Sequence, residues 1–580
     1  MSGRNANSHF AVNPTNIDIQ RSKFARPSSY KTTFNVGDLI PFYVDADVLP
    51  GDTYQIDTSK VIRMQTLLTP MMDNIYLDTY FFFVPHRLVW EHWKEFMGEN
   101  SDSAWLPEVD YTIPQLSAPE GGWNVGTIAD YMGIPTGVDG FSVNALPFRA
   151  YSLVCNEWFR STALTDPLVT PVTDATVTGV NSGNYITDCA KGGLPFKAAK
   201  FFDYFTGALP APQLGPDVEL PIADAGYYPV GTRASIANMP TADNGNPIYF
   251  SKSNGDPIPS LREEDYGSMY YSVNMWGSPS ALSNLGRPAI AGQLDTFNWV
   301  NAGGIKPTNL WAYNDGKAAF ATINQLRQAF QIQRYYERLA RGGSRYIEMI
   351  KSFFNVTSPD ARLQRPEYLG GNRIPININQ VIQQSATDAS SPLGNTAAMS
   401  LTTDSHSDFT HSFTEHGSIL GLMVARYDHT YQQGLNRMWS RKTRFDYYFP
   451  VFAHLGEQAI RNKEIYLQSD EVIGDTGEPE NNEVFGYQEA WAEYRYRPSM
   501  VTGEMRSAAS ASLDIWHLAD DYSALPALSD AWIREDPDTV DRVLAVTSSV
   551  SNQLFCDIFI NEKVTRPMPL YSIPGLIDHY

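Results

Sequence analysis

The 580-residue chain carries 43 Lys and Arg against 64 Asp and Glu, a formal charge of -21, with 43% hydrophobic and 13% aromatic residues. Such a composition excludes a disordered or fibrous chain, and a molecule this acidic is a poor ligand for a polyanion, so any nucleic-acid contact must be local. Three widely spaced cysteines, Cys155, Cys189 and Cys556, exclude a disulfide framework and a Cys-x-x-Cys metal pair; neither a secretion signal nor an apolar run of the roughly 18 to 20 residues that span a bilayer is visible, so folding in a reducing cytosol is expected.

Residues 1–36 place Arg4, Arg21, Lys23, Arg26 and Lys31 against the single acid Asp18 in a Ser- and Asn-rich setting without helical period. They read as an extended basic arm. From Gly37 the text turns to short apolar bursts broken by turn formers such as Pro50-Gly51-Asp52, the pattern of short strands. Asn74 to Val84 predicts a strand whose first half has one polar face and whose second half, Tyr80-Phe81-Phe82-Phe83-Val84, is apolar on both faces. Such a strand enters covered core. Pro85 then suits a first helical turn, and Val89, Trp93 and Phe96 follow at helical spacing until Gly98.

A second helix is predicted over Pro147 to Thr162, with Tyr151, Val154, Cys155, Trp158 and Phe159 on one stripe, and a third, basic one over Ile323 to Ala340. Between them, Asp217 to Tyr313 is rich in Gly, Pro, Asn and Ser and reads as a large insertion of loops and short strands. The last third returns to strand-like text at Ile419 to Tyr427, Phe445 to Val451, Val543 to Val546 and Leu554 to Ile560. Strand text at both ends of the chain predicts that the termini pair in one sheet.

Three histidines, His406, His411 and His416, recur every five residues among Asp404, Asp408 and Glu415. Neither a strand nor a helix gathers such a spacing on one face, so a structural metal there needs a loop. His86 and His92 diverge on a helix in the same way and read as polar groups on its exposed side. The chain contains no phosphate loop and no nucleophile elbow. Arg21, Lys23, Arg26 and Lys31, interleaved with Phe24, Tyr30 and Phe34, read either as a solvated tail or as a strap on nucleic acid or a neighbouring subunit.

The stretches KTTFNVGDLIPFYVDADVLPGD, PMMDNIYLDTYFFFVPHRLVWEHWKEFMGEN, ALPFRAYSLVCNEWFR, FFDYFTGALPAPQLGP, ARGGSRYIEMIKSFFNVTSPDARLQRPEYLGG, TYQQGLNRMWSRKTRFDYYFPVFAHLGEQAI and RPMPLYSIPGL, spread from Lys31 to Leu576, resemble the major capsid proteins of gokushoviruses, phages of the Microviridae. The resemblance implies a mainly β fold, an eight-stranded antiparallel jelly roll over residues 37–580 with long insertions containing helices and loops. It implies no enzyme and no cofactor, but a homo-oligomeric icosahedral (T=1) virion shell assembled in the host bacterial cytoplasm around circular single-stranded DNA. A small basic DNA-binding virion protein, an internal scaffolding protein and a host-cell receptor are the implied partners, with no membrane. The insertion, with Tyr227, Tyr228, Tyr249 and Phe250, falls where the family's threefold projection contacts the host. From composition alone, a β-rich glycan-binding protein or glycoside hydrolase is the alternative.

Overall fold

Period-two alternation, short turns and aromatic density build strands from residue 22 onward. The computed structural model describes residues 20–99, 110–216, 218, 230–232, 250–252, 305–307, 310–312, 323–385, 387, 392–394 and 396–571. It divides into two units, Met1–Asp217 with Gln333–Tyr580, and Val218–Ile332.

The first unit is built on strands β1 (Ser22–Phe34), β2 (Asp38–Val48), β3 (Thr53–Met64), β4 (Ile75–Pro85), β5 (Glu367–Pro375), β6 (Thr402–Ser412), β7 (Gly417–Tyr427) and β8 (Leu554–Arg566). They form a four-stranded sheet in the order β1-β8-β3-β6 and a five-stranded sheet in the order β5-β4-β7-β2, extended beyond β2 by Phe196–Lys197. Every neighbouring pair in both sheets is antiparallel. The predicted pairing of the termini is present, with Ser22 opposite Arg566 and Phe34 opposite Leu554.

The two sheets share one core. Ile56 and Ile62 of β3 and Ile558, Ile560 and Val564 of β8 pack with Phe42, Phe81, Phe83 and Met423 from the other sheet. Phe81 meets Phe42 edge-on at 5.4 Å between ring centroids, and Phe83 lies 4.5 Å from Phe413.

A second core covers the far side of the five-stranded sheet. There Phe82 and Val84 of β4 and Leu420, Leu422 and Val424 of β7 pack with Trp90, Trp123 and helix α1 (Leu146–Val154). Alternate residues of β4 therefore enter different cores, as its two-sided apolar text predicts. Tyr151 pins α1 to the sheet by donating to the Leu39 carbonyl at 2.6 Å and accepting from the Phe196 amide at 3.0 Å. In the middle of β7, Gly421 leaves room for the rings: a Cβ there would lie 2.9 Å from Phe81.

The outer face of the four-stranded sheet has no such cover among the described residues. Lys23, Ser29 and Lys31 of β1, Ser59 and Arg63 of β3, Thr403, Ser405 and Ser407 of β6, and Phe555 and Phe559 of β8 are exposed on it.

Buried charge ties the C-terminal segment to the sandwich. His429, just beyond β7, is bonded through Nδ1 to Asp520 at 2.9 Å and through Nε2 to Glu535 at 3.1 Å. Burial alone would lower its pKa, but Glu535 and Asp520 outweigh that and raise it to about 9. Asp520 is itself held below the usual carboxylate range: burial opposes this, and His429, Lys200 at 3.4 Å and the Tyr522 hydroxyl at 2.7 Å overcome it.

Several expectations give way. The helix expected after Pro85 is a turn of 3-10 helix, His86–Leu88, followed by a single α-turn, Trp93–Phe96. Trp90 is fully buried and donates its indole N–H to Asp174 at 2.6 Å, which draws the chain out of a continuous helical path. His86, expected on an exposed face, is buried with Nε2 3.1 Å from the Ala46 carbonyl, and burial lowers its pKa to about 4. The second helix stops regular α-geometry at Val154 and continues as a π turn, Cys155–Phe159. Val543 to Val546 is not a strand; it follows a short helix, Pro537–Asp541, and is joined to the segment after β3 by a bridge between Leu67 and Leu544.

In the second unit, the described backbone forms two strand pairs, Phe250–Lys252 with Ile305–Pro307 and Leu310–Ala312 with Val230–Thr232. Helix α2 (Ile323–Gly342) begins in that unit and ends in the first, and is followed by α3 (Tyr346–Phe354).

Candidate assembly surface

Segment 436–455 was expected to contribute the strand Phe445 to Val451. It is instead three 3-10 turns, Arg437–Ser440, Arg444–Asp446 and Pro450–Phe452. Local caps dictate this. The Asn436 side chain accepts from the Met438 amide at 3.0 Å, and Asp446 accepts from the amides of Lys442 and Thr443 at 2.8 and 2.6 Å. Those amide bonds hold the Asp446 carboxylate below its usual range. Pro450 opens the third turn, so the segment's aromatics are not drawn into a ladder.

The turns stand on a charged base. Arg437 pairs with Glu464 at 3.3 Å and Glu493 at 3.6 Å, and Arg441 pairs with Glu493 at 3.3 Å. Arg441 also lies over the rings of Tyr494 and Tyr447. Trp491 stacks with Phe452 at 6.3 Å and meets Tyr448 edge-on at 5.8 Å. Above this base the apolar side chains face outward: Trp439 is 71% exposed, Phe445 61% and Val451 85%, with Met438, Tyr447, Phe449 and Leu455 also exposed. A capped, hydrogen-bonded segment that exposes this many aromatic and aliphatic side chains has the composition of a protein interface.

Helices α2 and α3 have no buried residue, and Tyr346 and Phe354 of α3 are 64% and 70% exposed.

The four basic residues singled out in the arm have different fates. Arg26 of β1 is tied to Asp45 and Glu562, with its Nε 2.7 Å from Glu562. Although burial works against it, those carboxylates raise its pKa. Glu562 also accepts from Tyr43 at 3.0 Å, and Asp45 from Tyr54 at 2.9 Å, so Arg26 is the hub of a network joining β1, β2, β3 and β8. Lys31 is exposed and lies 3.4 Å from Asp557, a pairing that water screens heavily. Lys23 is exposed on the open sheet face, and the Arg21 guanidinium lies against Gly51.

Tyr227, Tyr228 and Tyr249 lie outside the described residues; the backbone of Phe250 pairs with Pro307. The three histidines are dispersed. His406 and His411 sit on β6 opposite Thr58 and Tyr54, His411 being 3.9 Å from Glu367, and His416 lies beyond the strand against Trp93. Among the described residues no three or more His, Cys, Asp or Glu side chains are placed to hold a metal. The described residues contain no helix long and apolar enough to cross a membrane.

Sequence reasoning missed Trp439 and its neighbours as a surface. The available signal was the density of Arg and aromatic residues in RMWSRKTRFDYYFPVF beside Asn, Thr and Pro turn formers.

A family model described as capsid protein (F protein) matches residues 13–576. The chain is 39% identical over 607 residues to the capsid protein VP1 of Chlamydia phage 1, covering 98% of this chain and 97% of the relative. It is 40% identical to the capsid protein VP1 of Bdellovibrio phage phiMH2K, over 100% of this chain and 99% of the relative, and 40% identical to that of Spiroplasma virus 4, over 96% of each.

Proposed function

The chain belongs to the capsid protein (F protein) family, and on that premise we propose that the surface from Met438 to Leu455 is a principal contact between its copies in an icosahedral shell around circular single-stranded DNA. The protein is a structural component of a phage virion and not an enzyme, and its copies assemble with one another. The reading as a glycan-binding protein or glycosidase is accordingly set aside. The observation that carries the proposal is a group of exposed aromatic side chains on a base of buried carboxylates and arginines. Burying Trp439, Phe445 and Val451 against a neighbour would give each contact a desolvated apolar centre, and repetition in a closed symmetry would multiply a modest pairwise affinity.

We read the two-sheet frame as a jelly roll. Strand orders β1-β8-β3-β6 and β5-β4-β7-β2, antiparallel throughout, support that reading. The second unit supports the assignment of Asp217 to Tyr313 as an insertion, which we propose as the host-receptor contact. A charge of -21 favours a small basic protein that shares the neutralisation of the genome, and the resemblance to gokushovirus capsids favours an internal scaffolding protein during assembly.

The test is the paired variant Trp439→Ala/Val451→Ala, expressed as the full chain with whatever virion proteins its assembly needs. The expected result is folded subunits with unchanged circular dichroism that sediment as small species and give no closed particles by electron microscopy. Normal yields of shells from the variant would overturn the assignment.

A further inference from the structure

Inside the sandwich, the inner face of β3 carries one charged residue among apolar neighbours. Lys60 is 1% exposed, and its Nζ makes no hydrogen bond. Its nearest acidic atoms are Asp404 Oδ2 at 3.6 Å and Asp408 Oδ1 at 3.9 Å, both from β6. Asp408 Oδ1 is likewise buried without a hydrogen bond.

Asp408 points inward because β6 bulges there. The register passes from Ser407 opposite Asp57 to Phe409 opposite Ile56, leaving Asp408 as the additional residue, and both Asp408 and Phe409 are buried. The bulge presses on β5 at Gly370, where any Cβ would lie 2.2 Å from the Asp408 carbonyl oxygen. Two bound groups complete the cluster. Thr58 donates its hydroxyl to Asp408 Oδ2 at 2.6 Å, and Asn372 donates its amide to Asp404 Oδ2 at 3.1 Å. Burial raises the pKa of Asp408 even though Lys60 and Thr58 favour its charged form.

A buried ion pair with no hydrogen bond between its partners keeps much of the desolvation cost of both charges, whereas an amide made from them carries no charge. We propose that Lys60 and Asp408 condense into an intramolecular isopeptide bond that ties β3 to β6, with Asp404 carrying protons and Thr58 polarising the acceptor carbonyl. In this step Nζ attacks Cγ of Asp408, the Cγ–N bond forms, and one Cγ–O bond breaks. Two protons leave the Lys60 nitrogen by way of Asp404, which ends unchanged, and the departing oxygen takes both as water. No electron transfer or cofactor is involved. The residues fit the chemistry: a desolvated nucleophile, a carboxyl shifted toward its neutral form, and an adjacent acid held by Asn372.

The measurement is the intact mass of the denatured full chain, taken from purified particles or soluble subunits. The expected value is lower than the sequence mass by one water. Trypsin should then fail to cut at Lys60 and should release residues 32–63 joined to residues 374–426, bounded by Lys31, Arg63, Arg373 and Arg426. Lys60→Met and Asp404→Asn should each restore the unbridged mass, while Asp408→Asn should keep the bond with ammonia as the leaving group. The wild-type chain alone decides the matter, whatever the variants do to folding. Full sequence mass with normal cleavage after Lys60 overturns the proposal and leaves a buried ion pair in its place.

Discussion

The two sheets of the sandwich are made from the same kind of strand and live in different surroundings. The five-stranded sheet is buried on both faces, so that Phe81 and Phe83 of β4 enter one core and Phe82 and Val84 the other. The four-stranded sheet buries one face and opens the other, where Phe555 and Phe559 alternate along β8 with the buried Cys556, Ile558 and Ile560. A phenylalanine in β4 is held by its surroundings from both sides of the sheet. One on the outer face of β8 is still available to a ligand or a neighbouring copy. Sequence alternation is thus a statement about how many layers cover a strand.

The sharpest way to break this comparison is to truncate one ring in each sheet. Phe82→Ala should cost about 3 to 5 kcal/mol in denaturant unfolding of the unassembled chain, because the surrounding core cannot collapse into the space. Phe559→Ala should stay within about 0.5 kcal/mol. Equal losses would mean that the outer face is covered after all.

His429 tests the side of the sandwich where the C-terminal segment docks. Its pKa is raised above the unfolded value, so its stabilisation is fully present below about pH 6.5 and disappears as pH rises through about 9. Asp520 is shifted the opposite way, and its contribution is present above about pH 4 and lost in stronger acid. His429→Gln should cost about 3 kcal/mol near pH 6 and progressively less as pH rises from about 6.5 towards 9, read as urea midpoints across pH. A pH-independent loss would show that the imidazole acts by packing alone.

Arg26→Ala should destabilise the open sheet by about 1 to 3 kcal/mol, since it leaves Glu562 buried without its partner, with the lower end favoured by the solvent that reaches a 38% exposed side chain. The smallest effect on stability belongs to Lys23→Ala/Lys31→Ala. Within about 0.5 kcal/mol of wild type in unfolding, this variant should weaken binding of an oligodeoxynucleotide to the subunit and flatten its salt dependence. Unaltered binding would count against the reading of these two lysines as part of a strap on nucleic acid. Deleting residues 1–36 is a poorer test of that contact, because it takes away β1 and the Arg26 network with it.

Much of the frame was legible in the residues. The text of Asn74 to Val84 foretold a strand passing into doubly covered core, and Ile419 to Tyr427 and Leu554 to Ile560 foretold β7 and most of β8. What failed did so for local reasons. Phe445 to Val451 has strand-like side chains, but Asp446 captures the backbone amides before it and Pro450 withholds one, so turns win. The helix after Pro85 lost to the burial of Trp90. The arm's extended backbone was readable, whereas the commitment of Arg26 was not, because Glu562 lies 536 residues away in the chain. The exposed aromatic surface from Met438 to Leu455 was invisible for a similar reason, since composition does not say which side of a turn faces solvent.

The position of β8 between β1 and β3 sets a clock on the molecule. The first of the described strands has as its sheet neighbour the last of them, with residues 22–34 aligned against 554–566. Until residues 554–566 have been made, β1 has no neighbour in its own sheet, and β3 is paired on one side only. Closing so long a loop is slow, and the waiting strand edges must be kept from pairing elsewhere. A chain that lacks residues 554–566 therefore cannot complete the open sheet, and both β1 and β3 keep an unpaired edge.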